Sequence, residues 1–426
     1  MSDNIDEFTP EFFRKYLHDV RSKSGYYRDL WKDVPNEVSD LGLLPVADNA
    51  DYWRASKRGH LMTAEFDNGI IFASGGTTSE PKTIYRTRQE VQQAADDMGR
   101  IISEVTGMLP GDRIANLLSS GPMYGAFLGV AIACLYHMKT PQVHLPLTGQ
   151  ASLPQMANYI QKYDATVLLG NVFIVSRLAD HLQQGGVTLP GIRLIMFLGE
   201  SLHPDMRASW EKAFPHMRAV PAMYSASDTG VLGIPVDTTD GSNSRPIYRV
   251  NDKTLVVELL DEAGNVIQEE GKKGRVIVTN PNVKLQPVVR YPVGDVARWT
   301  DYKRGHFEFL GREAAAFKLH GRLIEIPAVE ETVAETLGDG FVGNFQILRR
   351  FHGGRQGVTL RFHQDLGDPI ETARKLELRL TVNVAAWQEL LEGGHIHPLV
   401  VEKAAMEAFV YNPNSGKLIR YVDEVE

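Results

Sequence analysis

The sequence predicts an α/β protein in two parts. The first is a large N-terminal domain (residues 1–311) with a mainly parallel, helix-covered sheet and a β-rich subdomain over about 250–311. The second is a small α+β C-terminal domain (residues 312–426). Three observations lead there. A chain of 426 residues is long enough for two or three domains with sizeable cores. From about 69 to 224 short apolar runs alternate with amphipathic stretches, and strands that take turns with helices imply right-handed crossovers and a parallel sheet. Beyond about 250, short strand-like runs with Gly-rich turns take over, and the final stretch mixes both signals over a length suited to one separate domain.

Taken in order, residues 1 to about 68 read as short helical pieces broken at Trp31, Pro35, Pro45 and Trp53, with no evident chemistry. Residues 69–73 read as a short buried strand. Thr87-Arg88-Gln89-Glu90 is a capping box opening a long amphipathic helix. Strands are expected over 113–118, 165–170 and 192–198, a largely buried helix over 124–138, and helices after the second and third strands, the last over 204–214. Residues 255–259 and 274–278 supply strands of the β-rich part.

Composition narrows the class. Hydrophobic residues at 43% and charged residues at 23% are ordinary for a soluble globular protein, and a net charge of -8 argues against binding nucleic acid or an anionic membrane. The single cysteine, Cys134, lies in an apolar stretch and excludes an internal disulfide, in keeping with a reducing cytoplasm. No apolar run reaches the length of a membrane span, and Met1-Ser2-Asp3-Asn4-Ile5-Asp6-Glu7 is too acidic for a signal peptide. The expectation is a soluble cytoplasmic protein.

The chemistry centres on Ser74-Gly75-Gly76-Thr77-Thr78-Ser79-Glu80-Pro81-Lys82, between the first strand and the capping box. Its glycines let the backbone approach a ligand closely, and its neutral donors followed by a lysine suit a polyphosphate. A Walker loop is excluded, because Pro81 precedes Lys82 where Gly-Lys-Ser/Thr is required. Three polar clusters fall at the carboxyl ends of strands, where ligands of open α/β sheets collect: this loop, Gly199-Glu200-Ser201, and Tyr224-Ser225-Ala226-Ser227-Asp228. Taken singly, each residue also has a structural reading: Asp228 as a helix cap, Asp295 as a turn residue, Lys417 as a solvated charge. His395-Ile396-His397 lacks further ligands and reads as surface, Cys134 as a small core residue, and no Gly-x-Ser-x-Gly elbow offers a hydrolase nucleophile.

The loop resembles the Ser/Thr-Ser-Gly-Thr-Thr-Gly-x-Pro-Lys phosphate loop of the adenylate-forming superfamily, with Gly75 and Ser79 as departures. Gly199-Glu200-Ser201-Leu202 resembles the Gly-Gly-Glu-x-Leu element beside the adenine. Tyr224-Ser225-Ala226-Ser227-Asp228 resembles Tyr-Gly-x-Ser/Thr-Glu. Tyr291-Pro292-Val293-Gly294-Asp295 resembles Tyr-Arg-Thr-Gly-Asp, Gly311-Arg312 the Gly-Arg at the domain junction, and Pro413-Asn414-Ser415-Gly416-Lys417 the late Pro-x-x-x-Gly-Lys loop. These matches keep the family's order, and the chain's length looks most like the phenylacetate-CoA ligase branch.

The resemblance implies ATP and Mg²⁺ as cofactors and a carboxylic acid as substrate, more often aromatic, with phenazine carboxylates among them. It implies nucleotide binding by Ser74, Gly75, Gly76, Thr77, Thr78, Lys82, Gly199, Glu200, Ser201, Tyr224, Ser225, Asp295 and Arg312, a metal ligand in Asp228, and catalytic roles for Lys417 and Arg312. The family's polar hinge residue falls on Ala314, followed by Ala315 and Ala316, which puts the coenzyme A step in doubt. The acyl group would then pass to a downstream reductase or an acyl-acceptor protein. Two alternatives stay open: a catalytically degenerate nucleotide-binding scaffold or sensor, and an ordinary aryl-CoA ligase.

Overall fold

The computed structural model describes residues 8–74, 82–198, 202, 204–236, 246–313, 316–338, 345–352, 354–412 and 416–424. Helices α1 (Pro10–Lys23), α2 (Gly25–Leu30) and α3 (Asn49–Lys57) open the chain. Each starts where a short polar side chain, Thr9, Ser24 or Asp48, accepts a first-turn amide. Tyr27, Trp31 and Tyr52 from this region pack in one core with the antiparallel sheet described below, and the Tyr27 and Tyr52 hydroxyls both donate to the Pro287 carbonyl, at 3.0 and 3.1 Å.

Strands β1 (Gly69–Ala73) and β2 (Thr83–Thr87) form a separate antiparallel hairpin. The apolar run of β1 is half-exposed rather than buried as its composition predicts. The hairpin is a two-stranded sheet that packs on α4, and Phe72 lines a cleft instead of a core. Helix α4 (Arg88–Val105) begins with the predicted capping box: Thr87 Oγ1 accepts from Glu90 N at 3.2 Å, and Glu90 Oε2 accepts from Thr87 N at 2.7 Å. The other oxygen, Glu90 Oε1, accepts from Lys284 N and Leu285 N at 2.6 and 2.9 Å, tying the helix start to a distant loop.

The alternating region follows as β3 (Asp112–Asn116), α5 (Ala126–Ile132), β4 (Gln142–Leu145), α6 (Leu153–Lys162), β5 (Val167–Asn171), α7 (Val172–Gln184), β6 (Leu194–Leu198), α8 (Pro204–Ala213) and β7 (Arg218–Pro221). The strands make a parallel sheet in the order β4-β3-β5-β6-β7. The single buried helix expected over 124–138 is instead α5 running into a π-helical turn, Ala133–His137, with Leu128, Leu135 and Tyr136 exposed. It flanks β4, the sheet's edge, so only one side of it meets the core.

A seven-stranded antiparallel sheet follows: β8 (Tyr224–Ala226), β9 (Gly230–Pro235), β10 (Ile247–Val250), β11 (Val256–Leu260), β12 (Lys273–Asn280), β13 (Val288–Asp301) and β14 (His306–Arg312). The β-rich character thus reaches back to Tyr224, well before about 250, because β8 is three residues of a polar cluster and β9 is a short apolar run that reads like a buried parallel strand. The chain ends with β15 (Ala316–Leu319), β16 (Arg322–Glu325), α9 (Ile326–Leu337), β17 (Phe345–His352), β18 (Arg355–Phe362), α10 (Pro369–Asn383), α11 (Ala385–Glu392), β19 (Val400–Lys403) and β20 (Tyr421–Asp423). Helices α9 to α11 share a core around Trp387 with the sheet β19-β18-β17-β20. Met406 and Phe409 instead join the core beneath α7 and α8.

Candidate active site

A cleft of about 2830 Å³ opens at the carboxyl ends of the parallel strands, bounded by the β1–β2 hairpin, the antiparallel sheet and the C-terminal segment. That volume exceeds the roughly 300–1,000 Å³ of a pocket for one small ligand. It has room for a nucleotide and a second reactant. Ser74, Lys82, Tyr224, Ser225, Asp228, Asp295, Arg312 and Lys417 all line it.

At the hairpin end, Ser74 and Lys82 close the mouth of the loop. Ser74 N donates to Lys82 O at 2.9 Å, and Ser74 Oγ accepts from Lys82 N at 3.0 Å. The Lys82 side chain then reaches Asp228 Oδ2 at 3.4 Å and the Tyr291 hydroxyl at 3.0 Å. Tyr291 is a hub. Its hydroxyl donates to Asp228 Oδ2 at 2.8 Å and accepts from Trp53 Nε1 at 3.0 Å and Asn49 Nδ2 at 3.2 Å. Burial, and next the Asp228 charge, push the phenol far above its ordinary pKa, so it stays a donor toward the carboxylate. Arg86 Nη2 holds the Asp228 carbonyl at 2.6 Å, fixing the backbone that carries this group.

A strained residue aims the hub. Arg290, immediately before Tyr291, has φ +42, a conformation costing about 1–3 kcal/mol for a residue with a side chain. A two-pronged ion pair holds it there: Arg290 Nε and Nη2 each lie 3.0 Å from a Glu258 oxygen, with both side chains almost fully buried.

Asp295, on β13, is 3% exposed. One oxygen accepts from the Tyr224 hydroxyl. The other, Oδ1, lies 3.0 Å from Arg312 Nε as an ion pair but without the alignment of a hydrogen bond, so among the described residues it is a buried acceptor lacking a donor. Burial raises the Asp295 pKa, while Arg312, Tyr224 and Lys417 act in the opposite direction. The register of β13 and β14 sets Asp295 directly opposite Arg312, and Gly294, at φ +84, turns the chain there and accepts from Glu313 N at 2.9 Å.

Lys417 enters from the far end of the chain, on a turn whose backbone meets α7 through a 3.0 Å bond from Asn171 Nδ2 to Gly416 O. A buried carboxylate whose Oδ1 accepts no hydrogen bond among the described residues, and two lysines around one cleft, can hold the ribose and phosphates of a nucleotide. The hard oxygens of Asp228 suit a divalent cation on that polyphosphate. Gly75, Gly76, Thr77, Thr78, Gly199, Glu200 and Ser201 lie outside the described residues, as do Ala314 and Ala315. Trp53 and Asn49 come from the opening segment in which the sequence suggested no chemistry. Among the described residues no group of three or more metal-ligating side chains is found outside this cleft or within it. His395 instead stacks on His320 with ring centroids 5.0 Å apart, and the His397 ring lies tilted against His352 at 4.9 Å. Cys134 is buried, its thiol pushed up to about 12. No helix among the described residues is long and apolar enough to cross a membrane.

The sequence profile of the family described as AMP-binding enzyme matches residues 36–285. Indoleacetate–lysine synthetase of Pseudomonas savastanoi is 23% identical over 277 residues, 64% of this chain and 64% of that protein. Phenylacetate-coenzyme A ligase of Pseudomonas putida is 22% identical over 263 residues, 61% of this chain and 57% of that protein. The chain therefore spans less than two thirds of the length of these relatives. Among solved structures, GH3.15 acyl acid amido synthetase shares the fold with a TM-score of 0.68 at 14% identity, over 96% of this chain and 88% of that one.

Proposed function

Because the chain belongs to the AMP-binding enzyme family, whose members form the adenylate-forming superfamily, we propose that it uses ATP to adenylate a carboxylic acid and hands the acyl group to an acceptor. The observation that carries this is Asp295 Oδ1, a buried acceptor lacking a donor, in a cleft also lined by Lys82, Asp228 and Lys417. In this reading Asp295 accepts the ribose hydroxyls and Arg312 lies alongside. Tyr224 and Ser225 border the base, together with Gly199, Glu200 and Ser201. Ser74 to Lys82, including Gly75, Gly76, Thr77 and Thr78, cradle the polyphosphate.

A carboxylate oxygen of the acid attacks the α-phosphorus, the bond to the bridging oxygen of the β-phosphate breaks, and pyrophosphate leaves with that electron pair. Two anions must meet, so the site has to screen charge and align reactants rather than supply a nucleophile. Mg²⁺ held by Asp228 would neutralise the departing pyrophosphate. Lys417 would offset the charge gathering at the α-phosphorus, and Lys82 that on the outer phosphates. The C-terminal unit beginning after Arg312 would act as the lid that delivers Lys417.

An apolar acid is favoured by the lining of the cleft beside β1 and α5: Phe72, Leu118, Tyr124, Val130, Leu198 and Met223. The relatives named for indoleacetate and phenylacetate act on aromatic acids, and a phenazine carboxylate belongs to the same class. For the acceptor we favour an amino group or a partner reductase over coenzyme A, because Ala314-Ala315-Ala316 replaces the family's polar hinge; the relative named for lysine supports an amine. The test is acid-dependent pyrophosphate release with ATP and Mg²⁺ across a panel of carboxylic acids. Turnover confined to aromatic acids supports the reading. A protein that binds ATP yet releases no pyrophosphate with any acid would be a nucleotide-binding scaffold or sensor.

A further inference from the structure

The described ends of the segment bearing Lys417 are bonded to each other. Tyr411 and Leu418 form a bridge, Asn412 N donates to Lys417 O at 2.8 Å, and Gly416 N donates to Asn412 O at 2.7 Å. Helix α7 seats this turn. Tyr411 lies against Phe173 with ring centroids 5.3 Å apart, and the Arg177 guanidinium lies 5.3 Å from the Tyr411 ring. Further along, Asp180 Oδ2 is 3.5 Å from His363 Nε2. Positions 173, 177 and 180 share one helix face.

At the head of that face Asn171 uses both ends of one carboxamide. Oδ1 accepts from Ile174 N at 2.8 Å and caps α7, while Nδ2 donates to Gly416 O at 3.0 Å. The cap fixes the plane of the amide, and therefore where its N–H points. Gly416 has φ +66, and a Cβ there would stand 2.9 Å from Asn171 Nδ2, so the approach demands glycine.

We propose that Asn171 is a positioning residue for Lys417: the amide that caps α7 also holds the lysine turn in the arrangement that adenylates the acid. This rests on the adenylation reading above. Aspartate caps a helix as well as asparagine does, yet it offers Gly416 O an acceptor where a donor is needed. Asn171→Asp therefore separates holding the turn from capping the helix, and Asn171→Ser keeps a cap without reaching the turn.

The experiment compares the full-length parent with both variants in three measurements: thermal midpoint and ATP affinity, acid-dependent pyrophosphate release, and amide hydrogen exchange of the 411–418 turn. We expect near-parental ATP affinity in both variants, a near-parental midpoint in Asn171→Ser, and a lower midpoint in Asn171→Asp, where a buried carboxylate faces a carbonyl oxygen. We expect kcat to fall roughly tenfold in Asn171→Ser, as for the loss of one hydrogen bond, and further in Asn171→Asp, with KM for ATP little changed and faster exchange across the turn. In a Lys417→Ala background, Asn171→Asp should lower the residual rate no further, since both act on one group. Unchanged exchange at the turn overturns the proposal whatever the activity. So does an activity loss that multiplies with Lys417→Ala. A parent that releases no pyrophosphate with any acid overturns the adenylation reading alone, and the exchange measurement still decides whether Asn171 holds the turn.

Discussion

Burial of Asp295 disfavours its charged form, and Arg312 and Tyr224 offset only part of that cost. The sign follows. An acid whose pKa is raised by folding favours the folded state below its unfolded value, about 3.9, and that contribution is lost as pH rises through the folded value. Asp295→Asn should therefore be more stable than the parent at neutral pH, with the difference shrinking on acidification through the raised pKa; melting curves across pH check this. The same variant should bind ATP about one to two orders of magnitude more weakly, since a hydrogen bond to a charged partner is worth roughly 1.5–3 kcal/mol, and undiminished affinity by calorimetry would exclude the ribose role. Lys417→Ala should keep ATP binding while pyrophosphate release falls by about 10²–10³, the loss typical of one electrostatic donor; parental turnover with the best acid would refute its role. These residues stood out as candidates because each sits in a short motif of local spacing. The partners of Tyr291 were not: Trp53 lies 238 positions away in sequence, and nothing in its own neighbourhood points to a phenol.

Among the elements, β13 contributes most to the site, carrying Tyr291, Gly294 and Asp295 on one strand. Its geometry depends on Arg290, held at positive φ by Glu258 of β11, a strand it does not pair with directly. Removing one partner of a buried ion pair typically costs about 3–5 kcal/mol. Glu258→Ala should lose stability of that order in denaturant titration and should also weaken the Mg²⁺ dependence of turnover, because Tyr291 and hence Asp228 lose their fixed position. A destabilised variant with parental Mg²⁺ dependence would separate the ion pair from the site. The sequence offered Tyr291 to Asp295 only as a motif and did not single out the strand that carries it, nor its strained residue, because arginine carries no signal for positive φ. Helix α4 is the opposite case. Its capping box was plain in Thr87-x-x-Glu90, since both partners lie within one turn, whereas the clamp from Glu90 to residues 284 and 285 depends on tertiary packing.

For the whole molecule, the question is how the C-terminal segment meets the rest. Its own core surrounds Trp387, yet Met406, Phe409 and Tyr411 pack onto α7. The alternation of strands and helices made the parallel sheet legible, while the docking of the last turn on α7 pairs residues far apart in the chain. With the best acid, ATP, Mg²⁺ and coenzyme A together, we expect adenylate to form and thioester to form slowly or not at all. Rapid stoichiometric thioester would make this an ordinary aryl-CoA ligase. The lone cysteine makes movement of the C-terminal segment testable. Cys134 is 2% exposed, with its thiol raised to about 12, so at neutral pH it stays unreactive toward maleimides. Cysteines introduced at Tyr136 and Leu378, 77% and 68% exposed, would then be the only sites to take dye, and energy transfer between them would report whether the C-terminal segment moves during turnover, without any prior removal of native thiols.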